Sequence, residues 1–237
     1  MPDLNTSERK IFSQNGEDGI VAAIFDSIGT TNTFTVEFGV GDGRECNSAH
    51  LICDLGWSGL LIEADERLFS GLAERYQGFP KARLAHRFVT AENIAQILAE
   101  QEVPVEPDLL SIDVDGNDYW VWKALDAYRP RVVTIEYNAA HPAPGLWVMA
   151  YDPKHVWRGD SYFGASLASL VALGKRKGYA LLATDSKGVN AFFLRRDLLT
   201  TCRFKERSPK SAYHPPGFVN ASGTYGHPPG EGPFLRM

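Results

Sequence analysis

Three groups of residues have the types and spacing that chemistry needs. The first is Glu37-Phe-Gly39-Val-Gly41-Asp-Gly43. Alternating glycines let the main chain turn tightly and let a ligand approach its N–H groups. A dinucleotide-binding loop spaces its last two glycines three apart, so this run is of another kind. A plain turn needs the same glycines, and both readings stand. The second group is Glu63-Ala-Asp65. A carboxylate at a strand tip roughly twenty residues beyond such a loop accepts hydrogen bonds from both hydroxyls of a ribose. Glu63 suits that task, whereas Asp65 stands where it caps a following helix. The third group comprises Asp113, Asp115, Asn117 and Asp118, then Glu136 and Asn138. Asp113, Glu136 and Asn138 offer oxygen ligands to Mg2+ or a similar hard cation, which would acidify a bound hydroxyl. In a metal-free reading Asp113 instead holds an amino group or a substrate. In a third reading the acids only cap loops at a solvated rim. His141 is the candidate general base, since imidazole titrates near neutral pH. An ordinary loop histidine held by the prolines of His141-Pro-Ala-Pro-Gly145 fits the sequence equally well.

Strands and helices must place these groups. Ile20, Val21, Ile24 and Ile28 recur at helical spacing and predict a helix over 16–28. Phe34-Thr-Val-Glu-Phe predicts a strand running into the glycines. A helix over 47–55 follows, then a strand over 60–63 and a helix over 66–76. A weaker strand over 83–89 precedes a helix over 91–100. A fourth strand spans 108–113, a short helix 119–125, and a fifth strand 131–137. After a long loop come a helix over 165–177 and two strands, 179–183 and 191–194. The turn signal Asp185-Ser-Lys-Gly188 makes these two a hairpin. Repeated βα units closing in a hairpin predict a mostly parallel sheet, one antiparallel strand and helices on both faces. Ligands then bind at the carboxyl ends of the strands, where all three groups fall. Aromatic side chains crowd the loop there, including Trp147, Tyr151, Trp157, Tyr162 and Phe163, and suit a flat ligand, a core or an interface.

The motifs Ser13-Gln-Asn-Gly-Glu-Asp18, Glu37-Phe-Gly-Val-Gly-Asp-Gly43, Leu61-Ile-Glu-Ala-Asp65, Ser111-Ile-Asp-Val-Asp-Gly116 and Val133-Thr-Ile-Glu-Tyr-Asn138 occur in that order. Together they resemble the FkbM-type branch of class I S-adenosylmethionine-dependent methyltransferases over residues 11–197. The resemblance implies a Rossmann-like class I methyltransferase fold with a seven-stranded, mostly parallel sheet. It implies S-adenosylmethionine as cofactor, with Glu37, Gly39, Gly41 and Gly43 in the cofactor loop and Glu63 on the ribose. Gln14 falls in the segment that closes over the cofactor in similar enzymes. Thr90 follows the third strand, where the family holds adenine, and Asp113 faces the methyl end. The implied reaction is methyl transfer to oxygen or nitrogen of a small molecule. Two other readings keep the same cradle: a lyase or cyclase acting on the cofactor itself, and an inactive binding protein.

Composition narrows the classes further. The chain has 237 residues and a formal net charge of -5, with no basic stretch that would mark a nucleic-acid footprint. No apolar run approaches a membrane span, and Met1–Ile11 lacks the apolar core of a signal peptide. Cys46, Cys53 and Cys202 form neither a disulfide framework nor a zinc motif. A cytoplasmic enzyme is the expectation. A homo-oligomer remains open. Residues 1–204 read as one domain and 205–237 as a Pro/Gly-rich arm.

Overall fold

The computed structural model describes residues 2–237, so Met1 of the N-terminal stretch lies outside the described residues. Five strands run parallel: β1 (Phe34–Phe38), β2 (Ser58–Glu63), β3 (Ala82–His86), β4 (Leu109–Ile112) and β5 (Val132–Glu136). A two-residue strand, β6 (Val148–Met149), stands apart from them. The hairpin of β7 (Tyr179–Thr184) and β8 (Asn190–Arg195) completes the sheet in the order β3-β2-β1-β4-β5-β8-β7. Strand β8 is antiparallel to both neighbours. This is the mostly parallel sheet closing in a hairpin that the βα alternation predicts, and the Rossmann-like class I methyltransferase architecture that the resemblance implies.

Burial follows the two-residue period of each strand. Val36, Phe38, Leu60, Ile62, Leu110, Ile112, Val133 and Ile135 join one core cluster. That cluster is closed by α4 (Ile94–Glu100), α5 (Asp118–Ala124) and α6 (Leu167–Lys177). Leu109, Val132, Leu182, Phe192 and Leu194 point the other way and pack on α1 (Glu17–Ile28). Leu61 packs there too, against α2 (Ala49–Cys53) and α3 (Glu66–Tyr76).

Several elements are shorter than their apolar patterns. The helix expected over 47–55 begins at Ala49, because the N–H groups of Asn47 and Ser48 are bound by the Glu37 carboxylate at 2.9 and 2.7 Å. The helix expected from 91 begins at Ile94, because the Asn93 side chain draws the Thr90 N–H into a turn at 2.8 Å.

The tail carries two elements that its composition hides. The helix α7 (Pro209–Ala212) is closed by a capping box between Ser208 and Ser211. Strand β9 (Phe234–Leu235) pairs antiparallel with β6. Two-residue strands have no period to read, so both β6 and β9 escape sequence analysis. Among the described residues no helix is long and apolar enough to cross a membrane.

The end of the sheet remote from the glycine loop is held by a buried ion pair. Arg131 Nη1 donates to Asp108 Oδ1 at 2.7 Å, and the same guanidinium donates to the carbonyls of Ile28 and Gly29. Asp108 also accepts the N–H groups of Thr31, Asn32 and Thr33. Burial alone would push its carboxyl up. The Arg131 bond and these N–H groups outweigh that and hold it below the usual aspartate range. Removing one partner of such a pair leaves an uncompensated interior charge. Arg131→Ala is therefore expected to cost about 3–5 kcal/mol of stability, read from urea denaturation. A loss under about 1 kcal/mol, the range of exposed pairs, would show that the pair contributes little.

Candidate active site

The glycine loop leaves β1 with three residues in the left-handed region, Gly39, Gly41 and Gly43, at φ of 75°, 57° and 77°. The three glycines serve different ends. A Cβ on Gly39 would lie 1.6 Å from the Asp113 carbonyl, so Gly39 lets the ends of β1 and β4 close together. A Cβ on Gly43 would strike Tyr76 and Leu72 of α3. Around Gly41 there is open space, with nothing within 4 Å of an added Cβ. Gly41 lines a cleft of about 470 Å³ together with Gly39, Glu63, Asp65, Val114 and Asp115. Leu68, Phe88 and Val156, which are 39%, 45% and 69% exposed, also line it. Large apolar side chains left open along a cleft suit a flat ligand.

Glu63 organises this cleft. One of its oxygens accepts the Gly41 N–H at 2.7 Å, and the other accepts the N–H groups of Ala64 and Asp65, each at 2.8 Å. An ionised carboxylate has about four lone-pair sites, so capacity remains for a ligand donor. Asp65 caps α3 by accepting the Leu68 N–H at 2.9 Å. Glu37 is 5% exposed and lines neither cavity; its two oxygens bind the Asn47 and Ser48 N–H groups. Its place is to anchor the loop. Thr90 also lies outside the cleft lining, where Arg87, Phe88 and Val89 stand instead.

A second cavity of about 280 Å³ adjoins the cleft, and Asp115 and Trp157 line both. Its floor holds Asp113, Asp115 and Glu136, whose nearest carboxylate oxygens lie within 4.8 Å of one another. The sheet explains two of them: Asp113 follows β4 and Glu136 ends β5. Asp115 reaches the group from a loop position with φ of 53°, which few non-glycine residues adopt. Burial first, then the neighbouring acids, pushes the carboxyls of Asp113 and Glu136 well above their ordinary values. Glu136 Oε2 has no hydrogen-bond partner.

Asn138, expected beside Asp113 and Glu136, lines the same cavity as they do. Its amide donates to the carbonyls of Ser161 and Phe163 at 2.9 Å each, and its oxygen accepts the Ala140 N–H. It pins the long loop, and Asp115 joins Asp113 and Glu136 as a third carboxylate. Gln14 lines this second cavity, not the cleft. It is carried there by the Ser13–Asp18 motif, in which Asp18 Oδ2 gathers the N–H groups of Ile11, Phe12 and Ser13.

His141 lies outside both linings, with its ring between Trp147 and Phe234 at centroid distances of 5.7 and 4.6 Å. His227, from the tail, lines the second cavity together with Pro216 and Phe218. The sequence carries no local signal for this placement. It depends on long-range bonds such as Tyr137 Oη to the His214 carbonyl at 2.7 Å and Ser161 N–H to the Pro228 carbonyl at 2.9 Å.

Two adjoining cavities thus lie at the carboxyl ends of the strands. A family model, the methyltransferase FkbM domain, matches residues 19–179, and the chain belongs to that family. No curated protein sequence matches it. Among solved structures it is similar to the N-terminal domain of EvdMO1 in the presence of SAH and D-fucose, at 14% identity and a TM-score of 0.48, covering 76% of this chain and 82% of that one. It is also similar to the mitomycin 7-O-methyltransferase MmcR, at 20% identity and 0.47, covering 76% and 53%. An S-adenosylmethionine-dependent methyltransferase from Clostridium acetobutylicum ATCC 824 is similar at 11% and 0.45, covering 72% and 87%.

Crowded acids give a pH dependence. Burial pushes Asp118 and Asp185 up to about 6 from an ordinary 3.8, and raises Asp113, Asp115 and Glu136 in the same direction. For each the folded chain binds its proton more tightly than the unfolded chain does. Their stabilising contribution is complete below pH 3.8 and is lost as pH rises through the raised values. Asp108, held low, adds a contribution that stays constant above that range. The urea midpoint should therefore rise as pH falls from 8 to 5, and Glu136→Gln should flatten the slope. A midpoint that falls over this interval contradicts the burial of these acids.

Proposed function

We propose that the protein transfers a methyl group from S-adenosylmethionine to oxygen or nitrogen of a small-molecule acceptor. The observation that carries this reading is the open space at Gly41 beside the Glu63 carboxylate, in a cleft also lined by exposed apolar side chains. Those residues fit the donor. Glu63 would accept the ribose hydroxyls, Leu68, Phe88 and Val156 would flank the base, and Asp115 would face the amino-acid end. When bound, S-adenosylmethionine supplies an electrophilic methyl group on a sulfonium. The chain's own part is to hold the acceptor in the adjoining cavity and to take its proton.

Asp113 and Glu136 suit the proton transfer, because carboxyls raised by burial are better bases near neutral pH. We place the transfer there and not on His141, whose ring lies outside the cavity lining. The three floor carboxylates also form an oxygen donor set that Mg2+ would accept. Residues 1–204 would then hold the donor, and the arm from 205 onward would wall the acceptor cavity.

The test is incubation of the full chain with S-adenosylmethionine alone and then with a panel of hydroxyl and amine acceptors, with mass spectrometry of all sulfur-containing and methylated products. Acceptor-dependent formation of S-adenosylhomocysteine is expected. Breakdown of the donor without an acceptor would contradict transfer and favour lyase or cyclase chemistry. Calorimetry gives the matching binding test. Glu63→Ala should weaken S-adenosylhomocysteine at least tenfold, about 1.4 kcal/mol, through lost charge-assisted bonds. Gly41→Val should abolish binding, because a branched side chain fills the open space and resists positive φ. Unchanged affinity in both variants would move the donor out of this cleft.

A further inference from the structure

The second cavity pairs its acids with an aromatic wall. The His227 ring lies 4.7 Å from Trp157, 4.7 Å from Phe218 and 5.6 Å from Phe163, centroid to centroid. All four rings line the cavity whose floor is Asp113, Asp115 and Glu136. Among the described residues, no lysine or arginine lines it, and no ion pair reaches any of the three acids. Glu136 Oε2 is enclosed yet unpartnered. Burial holds His227 toward its neutral form, so the wall does not itself supply the missing positive charge.

We propose that this cavity binds a small planar amine in its cationic form, with the ring against Trp157, Phe163, Phe218 and His227 and the ammonium against Asp113, Asp115 and Glu136. Rings recognise the flat body and add attraction for the charge through their faces. Crowded carboxylates drawn partly out of water gain from a cationic, hydrogen-bonding partner, and an ammonium is both. An anionic acceptor, such as a carboxylate or phosphate, would meet three acidic groups and no lysine or arginine. At about 280 Å³ the cavity admits a molecule of one or two rings. The inference rests on the methyl-transfer reading and gives the acceptor its chemical class.

The experiment uses the full chain, with binding of three probes of one shape followed by calorimetry at pH 7.5: 2-phenylethylamine, 2-phenylethanol and 3-phenylpropionate. S-adenosylhomocysteine is titrated into the same preparation. The amine is expected to bind at least tenfold more tightly than the alcohol, and the acid not at all. Glu136→Gln should bring amine and alcohol together, and Phe218→Ala should weaken the amine while S-adenosylhomocysteine binds as before. Equal binding of amine and alcohol to the unaltered chain overturns the proposal. Displacement of the amine by millimolar MgCl2, with Mg2+ itself bound, overturns it in favour of a metal site. If S-adenosylhomocysteine binds and the amine preference is absent, only this inference falls. If S-adenosylhomocysteine does not bind, the methyl-transfer reading falls.

Discussion

One carboxylate joins the two strand ends on which the site is built. Glu63, at the tip of β2, accepts N–H groups from Gly41 on the neighbouring loop and from Ala64 and Asp65 in its own chain turn. Parallel strands do not hydrogen-bond beyond their ends, so loops there need another tie. Glu63 adds a side-chain tie to the left-handed glycine loop, beside the main-chain bond from Gly39 N–H to the Ile62 carbonyl. Gly39 contributes the other half of the constraint. Its missing side chain lets the loop approach the Asp113 carbonyl, which sets the floor acids beside the cleft. The two cavities adjoin because β1, β2, β4 and β5 end at one edge of the sheet.

The acids beyond β4 and β5 carry the opposite physics. Glu63 is satisfied by three backbone donors, whereas Glu136 keeps an enclosed oxygen with none. Like charges gathered in a poorly hydrated place store unfavourable energy that a cation or a proton relieves. The fold supports that cost elsewhere, through the Asp108–Arg131 pair at the remote end of the sheet and the apolar clusters on both faces. A stable remote end with a strained ligand end is a common division of labour in α/β sheets.

Much of this frame is legible in the sequence because it is local. Strand β1 is β-branched and aromatic and meets its glycines directly. Helix α3 begins and ends at the residues its apolar period predicts, and Asp65 caps it. Glu63 is legible as a strand-tip acid. What escapes is set by backbone turns and long-range pairing. Asp115 joins the floor acids through one left-handed residue, and the Asn138 amide is engaged by two loop carbonyls. Phe88, not Thr90, lines the cleft because β3 stops at His86. The tail's wall, with Phe218 and His227, depends on α7, on the two-residue pairing of β6 with β9, and on hydroxyl-to-carbonyl bonds across 77 residues. Neither composition nor period encodes such contacts.

The central claim is that the cleft headed by Gly41 and Glu63 is where the methyl donor sits, with the acid-floored cavity beside its reactive end. A crystal structure of the full chain with S-adenosylhomocysteine tests it most directly. The account predicts ribose hydroxyls on Glu63, the base between Phe88 and Leu68, and the sulfur at the boundary marked by Asp115 and Trp157. Density for the ligand in any other place, with the Gly41 cleft unfilled, would contradict it.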